Sequence, residues 1–385
     1  MGMKLGDQSG IEPVRRETQG CHAASPSRMG SAGFARKPLA SLLACSLLAC
    51  LASACPQFPD YSSWMKDQGS QTLKALHLPG THDSSTYGFA SGVQYPTLAL
   101  QWAKAQDCNI TQQLTAGIRF LDLRVSWNSI ESHVVLSHSF QASPLDAVLQ
   151  QIADFVGAYP SEVVVVYMTG DTLDFKLQKA LQAMSMPQAG STQHWDSASK
   201  SIARFFGARL IKAADLDFSL SVLTAAQRNV LIISDELAQQ AGFVAVKPAH
   251  INYLDSWAGD SARGIPATQT DGSDADQLIP RINKFMAAVD GRELYTVIKA
   301  QVTPGIADII AGGDQSAGLV QWASVTNTSL LSDALSCRSN MHCSSFRVLA
   351  MDFPTPQLVE AVLSMNAGGT EPPQETQGAT VAAAG

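Results

Sequence analysis

The stretch Val163-Val164-Val165-Val166-Tyr167-Met168 restricts the fold more than any other. It has no alternation of polar and apolar residues. It follows Tyr159-Pro160 and ends in Thr169-Gly170-Asp171. A short β-branched run of this kind marks a strand covered on both faces, as in a parallel sheet carrying helices on each side. The segment before it reads as one such helix. Ser143 suits an N-cap and Pro144 the first helical position. Leu145, Val148, Leu149, Ile152, Phe155 and Val156 follow at helical spacing. Further strand candidates begin near residues 75, 118, 134, 230, 251, 295 and 346, and helical patterns such as Ile279 to Val289 separate most of them. Eight alternating units predict an α/β chain: a single, irregular TIM-type βα barrel of about eight parallel strands. The alternative is an open doubly wound sheet, and no Gly-x-Gly-x-x-Gly supports a nucleotide crevice there.

The chain has 385 residues, 45% of them hydrophobic, enough for one sizeable domain with tails. Leu39 to Ala54 is apolar or small throughout, follows Arg36-Lys37 and closes on Ala52-Ser53-Ala54. It is too short to span a bilayer and reads as a secretory signal. The expected organisation is therefore a leader over 1–54, a barrel over 55–366 and a disordered Gly-, Pro- and Ala-rich tail over 367–385. Cys55 offers a second reading, as a lipoprotein attachment site. The seven cysteines fall at 21, 45, 50, 55, 108, 337 and 343, so removing the leader leaves an even number. Cys337 and Cys343 flank a tight polar loop and are expected to pair. Cys55 with Cys108 follows by elimination. Asn109-Ile110-Thr111 and Asn327-Thr328-Ser329 are glycosylation sequons, relevant only on a eukaryotic secretory route. Net charge is −7 without a basic run in the predicted mature part, which argues against nucleic-acid binding.

The polar residues at the predicted strand ends form a set. Leu76 to Ser85 reads as an apolar strand broken at Pro79-Gly80, after which His82 and Asp83 stand side by side. The second strand, Ile118 to Val125, places Asp122 and Arg124 on one face by its period of two. The third, Val134-Val135-Leu136, ends at His138. The eighth ends at Asp352. In a βα barrel these ends meet at one mouth. Charges aimed into an apolar interior are costly unless paired. A buried ion-pair network that only sets strand register would account for Asp122 alone as well as function does. It accounts less well for two His, their acids and an Arg converging together. That set suits phosphodiester cleavage without a metal. One His takes a proton from an attacking hydroxyl and the other protonates the leaving oxygen. An acid orients the first His, and the Arg meets the phosphoryl oxygens.

Leu78-Pro79-Gly80-Thr81-His82-Asp83-Ser84, Gly117 to Arg124, Leu136-Ser137-His138 and Met351-Asp352-Phe353-Pro354 resemble the four signatures of the phosphatidylinositol-specific phospholipase C X-domain superfamily. The resemblance runs from about Lys74 to Met365. It is to the secreted bacterial and fungal type rather than the calcium-dependent animal enzymes. Those carry an acid where this chain has Arg124 and Asn where it has Asp83. The resemblance implies His82 as general base on the inositol 2-hydroxyl, oriented by Asp352. It implies His138 as the acid, helped by Asp83, with Arg124 on the phosphate and Asp122 as a supporting acid. A cyclic inositol phosphate would be the product. The expected partner is a phospholipid or inositol-phosphodiester substrate at a membrane surface, met by a secreted or surface-bound monomer. Arg124 would repel a calcium ion, so no metal and no cofactor are expected.

The chain departs from the bacterial pattern in two places. Thr169 stands where those enzymes carry a Lys, and Ser234-Asp235 where they carry an Arg at the next strand end. Both departures touch the head group rather than the phosphodiester chemistry. Asp255 and Trp257 are the candidates to replace the ring contacts. Other head groups, such as glycosyl-phosphatidylinositol anchors, and a catalytically silent binding barrel are the competing readings. His77 and His133 are expected to be packed or solvated, and His194, His250 and His342 to sit in loops without partners. Asp271 to Asp276 lacks the closing Glu of a calcium loop. Phe89, Tyr95 and Trp102 could form an apolar rim facing lipid, although core packing is the commoner fate of aromatics.

Overall fold

The computed structural model describes residues 55–89, 97–128, 131–138, 140–170, 192–240, 245–246, 251–255, 274–288, 295–301, 318–336 and 346–367. Nine strands form one sheet: β1 Leu78–Thr81, β2 Phe120–Asn128, β3 His133–His138, β4 Phe140–Pro144, β5 Val164–Gly170, β6 Val230–Ile233, β7 Ile251–Asp255, β8 Tyr295–Ala300 and β9 Val348–Met351. Parallel pairing runs through β6-β5-β2-β1-β9-β8-β7. Among the described residues β6 and β7 do not pair, and a bridge from Ile233 to Val246 continues the sheet beyond β6. Helices follow the strands, as the alternating pattern predicts, so the chain is an α/β protein with a parallel-rich sheet.

Two expectations are corrected. The third predicted strand is not a parallel barrel strand. β3 runs antiparallel to β2, with Val125 opposite Leu136, and β4 turns back antiparallel on β3. The link from β2 to β3 is too short for a crossover, which needs a dozen or more residues. β2 compensates by extending well beyond β1, so the hairpin returns His138 to the ends of the parallel strands. The first strand is also displaced. Leu73–Ala75 is a 3-10 turn, and β1 contains Pro79 and Gly80 rather than breaking there. Gly80 is needed for a close approach: a Cβ on it would lie 3.1 Å from the Phe120 ring and 3.3 Å from the Phe120 carbonyl.

The pleat divides the strands into two faces. Leu78, Phe120, Val165, Leu231, Ile233, Val297, Val348 and Ala350 share one buried cluster lining the inside of the sheet. On the outside, Leu121, Leu123, Val164, Val166 and Ile232 pack with Leu145–Ala158 and Thr192–Phe206. Ile298, Leu349 and Met351 pack with Asp274–Ala288, Leu319–Ser336 and Pro356–Ser364. The helix after β4 starts at Leu145, one residue later than predicted, because Ser143 and Pro144 complete the strand.

Cys55 and Cys108 form a disulfide, which occupies the thiol a lipid anchor would need. Cys337 and Cys343 lie outside the described residues, as do the predicted leader and nearly all of the predicted tail. Asn327 is buried, and its amide donates to the carbonyls of Asp352 and Phe353, so that sequon is closed to glycosylation in the fold. His194 is buried in the helix Thr192–Phe206 rather than in a loop. Among the described residues no helix is long and apolar enough to cross a membrane.

Candidate active site

The inward face of each strand changes character along its length. On β2 it reads Phe120, Asp122, Arg124, and on β8 Val297, Lys299. From β1 it continues past the strand end to His82, and from β9 to Asp352. The apolar residues fill the inner face of the sheet, and the charged ones gather where the parallel strands end.

His82 is at the centre. Its Nδ1 is 2.8 Å from Asp352 Oδ1. Its Nε2 is 3.1 Å from Arg124 Nη2, 3.1 Å from Asp83 Oδ2 and 3.9 Å from Asp122 Oδ2. Arg124 Nε is 2.8 Å from Asp83 Oδ1. His138 Nδ1 is 2.8 Å from the Ala103 carbonyl and 3.2 Å from Asp83 Oδ2, so Asp83 lies between the two imidazoles. The ring centroids of His82 and His138 are 6.1 Å apart. His82, Asp83, Asp122 and Asp352 are buried, while the Arg124 and His138 side chains keep 16% and 23% of their exposure. The two groups best suited to meet a substrate are thus the ones that reach solvent.

The backbone is strained at both flanks. Asp83 has φ 41° and Phe353, next to Asp352, has φ 43°. Non-glycine residues in this region are uncommon and cluster at functional sites. The segment Ala103–Gln106 holds these turns. Gln106 donates to the His82 and Met351 carbonyls, and Ala105 accepts from the Phe353 amide and donates to Thr86 Oγ1. The Thr86 hydroxyl donates in turn to the Asp83 carbonyl. The disulfide at Cys108 anchors this brace two residues beyond Gln106.

Burial first, and then the cations Lys299 and Arg124, hold His82 well below the ordinary imidazole value. Burial, and then the Asp83 carboxylate, push Asp352 well above the ordinary carboxylate value, with Asp122 adding to this against Lys299 and Arg124. The couple therefore resists separating charge. Burial would raise Asp122, but Lys299 and Arg124 overcome it and hold that carboxylate below its usual range.

His82, Asp83 and Asp122 present atoms close enough together to surround one cation. Both carboxylates already face one. Lys299 Nζ is 2.7 Å from Asp122 Oδ2, and Arg124 Nε is on Asp83. A metal ion would have to displace or oppose two fixed cations, so the donor set does not fit one.

The structure thus brings together His82, Asp83, Asp122, Arg124, His138 and Asp352. Thr169 lies at the end of β5, in register with Arg124 and half-buried. Asp255 closes β7, where its backbone pairs with Lys299, and its side chain lies outside the description. Trp257 and Tyr95 are outside the described residues. Trp102 is buried edge-on to Trp322 rather than on a rim, and Phe89 is half-buried against Phe140. His77 is packed, as expected, and His133 is part-exposed near Glu131. Sequence reasoning missed Lys299 and the brace residue Gln106. The signal for Lys299 was a lysine in the middle of the apolar run Tyr295-Thr296-Val297-Ile298-Lys299-Ala300, two residues from an inward Val. Gln106 carries no local signal.

Residues 78–203 match the PI-PLC X family. A PI-PLC X-box domain-containing protein of Dictyostelium discoideum is 30% identical over 122 residues, covering 28% of this chain and 16% of its own length. A 1-phosphatidylinositol phosphodiesterase of Listeria monocytogenes is 32% identical over 121 residues, covering 30% of this chain and 36% of its own. The chain therefore matches well under half the length of these relatives. The solved structure of phosphatidylinositol-specific phospholipase C from Listeria monocytogenes superposes with a TM-score of 0.53 at 17% identity, over 80% of this chain and 99% of that one. The likeness of fold thus extends well beyond the aligned sequence. Residues 78–203, from β1 into the helix Thr192–Phe206, are thus similar to the PI-PLC X family.

Proposed function

We propose that this protein is a secreted, metal-independent phosphodiesterase that cleaves a phosphoinositide-type lipid to diacylglycerol and a cyclic inositol phosphate. The observation that carries the reading is the pair of imidazoles 6.1 Å apart with a guanidinium beside one of them and a carboxylate between them. With the Nδ1 proton donated to Asp352, His82 Nε2 is the basic nitrogen, and it takes the proton of the inositol 2-hydroxyl. The freed oxygen bonds to phosphorus, and the bond from phosphorus to the diacylglycerol oxygen breaks. His138, beside Asp83, gives that oxygen a proton. Arg124 meets the phosphoryl oxygens as their charge shifts, the role a bound cation would otherwise fill. Asp122 supports the phosphate end. The Cys55–Cys108 disulfide supports an oxidising compartment and so the export reading.

A second reading changes the head group and keeps the chemistry. Thr169 and the Ser234-Asp235-Glu236 segment stand at the ends of β5 and β6, with Glu236 near the Gly170 amide. This side of the mouth offers hydroxyls and carboxylates, which suit a polyol or a glycan-bearing inositol. Asp255 and Trp257 remain candidates for ring contacts.

The test is turnover of a panel of inositol phosphodiesters with EDTA present, with phosphorus NMR of the product. Activity that resists EDTA, yields a cyclic ester and vanishes in His82→Ala supports the proposal. A requirement for added calcium overturns the metal-independent mechanism. Absence of turnover across the panel favours a silent binding barrel.

A further inference from the structure

Lys299 has no place in the chemistry above, yet it is among the largest fully buried side chains described. It sits near the C-terminal end of β8, and its ammonium is 2.7 Å from Asp122 Oδ2 and 5.7 Å from the centre of the Tyr167 ring. A charge so placed is expensive to bury, and a sheet interior lined by Val165, Val297 and Val348 has no packing need for it. We propose that Lys299 is a positioning residue of the phosphodiester site, acting through Asp122 on the base His82 and the phosphate-binding Arg124.

The route is geometric. Lys299 fixes one oxygen of Asp122. That carboxylate lies 3.8 Å from Arg124 Nη2 and 3.9 Å from His82 Nε2. The Asp122 amide donates to Ser84 Oγ, and the Ser84 amide donates to the Asp122 carbonyl, so Asp122 also ties β2 to the strained turn that carries Asp83. One ammonium from β8 thereby organises groups from β1 and β2 without touching the substrate. The groups facing His82 are Asp83 after β1, Asp122 and Arg124 on β2, His138 at the end of β3, Lys299 on β8 and Asp352 after β9. Removing Lys299 takes a cation away from His82 and leaves Asp122 less compensated beside it. Both changes favour the imidazolium, so the base would need a higher pH to act.

The inference rests on the proposed phosphodiesterase reading, and its test keeps the two apart by following His82 directly. The His82 ring is titrated by NMR in the wild type and in Lys299→Met, alongside the pH profile of kcat/KM. The expected result is a rise of about one pH unit in both the ring titration and the acid limb, with kcat down about tenfold or more and KM changed far less. An unmoved ring titration overturns the inference whatever the enzyme's substrate proves to be. Should Lys299→Met fail to fold, Lys299→Met/Asp122→Asn removes both charges together. Loss of kcat in that folded double variant supports the proposal, and near wild-type kcat overturns it. No turnover in the wild type beside a shifted ring titration would fail the functional reading and leave the electrostatic one standing.

Discussion

The stretch from Arg119 to Arg124 carries two arginines of opposite character. Arg119 lies just before the strand and faces outward with Leu121 and Leu123. Arg124 faces inward with Phe120 and Asp122. Arg119 is saturated. Its guanidinium reaches Glu162 at 2.7 Å and donates to the carbonyls of Tyr61, Ser62, Leu114 and Ile118, with the Phe155 ring 4.7 Å from its carbon. This pair locks the entry segment under the sheet. Arg124 instead shares several acids and a histidine, some at distances near 4 Å, beside strained backbone and with an opening to solvent. A saturated buried charge holds structure, whereas a part-buried charge divided among partners can still accept a ligand.

The largest expected effect tests the functional half of this contrast. His82→Ala should lower kcat/KM by about a thousandfold or more while changing the denaturation midpoint little. A variant that loses stability in step with activity would mean that the mouth cluster is structural too. Next in size is Arg119→Met. It strands Glu162 in the interior and should cost about 3–5 kcal/mol in urea unfolding, with the acid limb of the pH profile unmoved. A displaced acid limb would break the distinction between the two ends of the site.

The inward face of β2 was legible because a period of two sorts Asp122 and Arg124 from Leu121 and Leu123 without further knowledge. His82, Asp83, His138 and Asp352 were legible because strand ends converge in an α/β sheet. The antiparallel turn at β3 was not read, although the short link from β2 already excluded a crossover. Lys299 and Gln106 escaped for a different reason. Each acts through partners from distant parts of the chain, Asp122 for one and the His82 and Met351 carbonyls for the other, and no local pattern records such pairing. Pro79-Gly80 misled because the dipeptide usually marks a turn, whereas Gly80 here answers to the Phe120 ring across the strand.

The disulfide sharpens the comparison from outside the sheet. Cys55 and Cys108 are 53 residues apart, and a loop of that size stabilises a fold by about 3–4 kcal/mol. Cys55→Ser/Cys108→Ser should lower the urea midpoint accordingly. Because Cys108 adjoins the Gln106 brace, kcat should fall as well, measured where the variant is still folded. A loss of stability with kcat intact would assign the bridge to the entry segment alone.

The smallest effect compares the two ends of β1. His77, before the strand, is buried between Phe346, 5.2 Å away edge-on, and Arg347, whose Nη1 is 3.3 Å from its Nε2. Burial, and then Arg347, lower its pKa to about 4. The unfolded chain therefore binds a proton near pH 6.5 that the folded chain refuses until about pH 4. The stability from this site is fully present above that upper value and is lost as pH falls through the window, up to about 3 kcal/mol. Urea unfolding of His77→Gln should lose less stability over the same range, because Gln has no proton to gain. His82 has the same sign but is opposed by Asp352, which is raised and so gains stability on acidification. Of the two ends of β1, the one away from the mouth thus supplies the acid slope belonging to histidine, and buried His194 in the helix Thr192–Phe206 adds to it with the same sign. An unchanged slope in His77→Gln would move it to His82 and erase that difference.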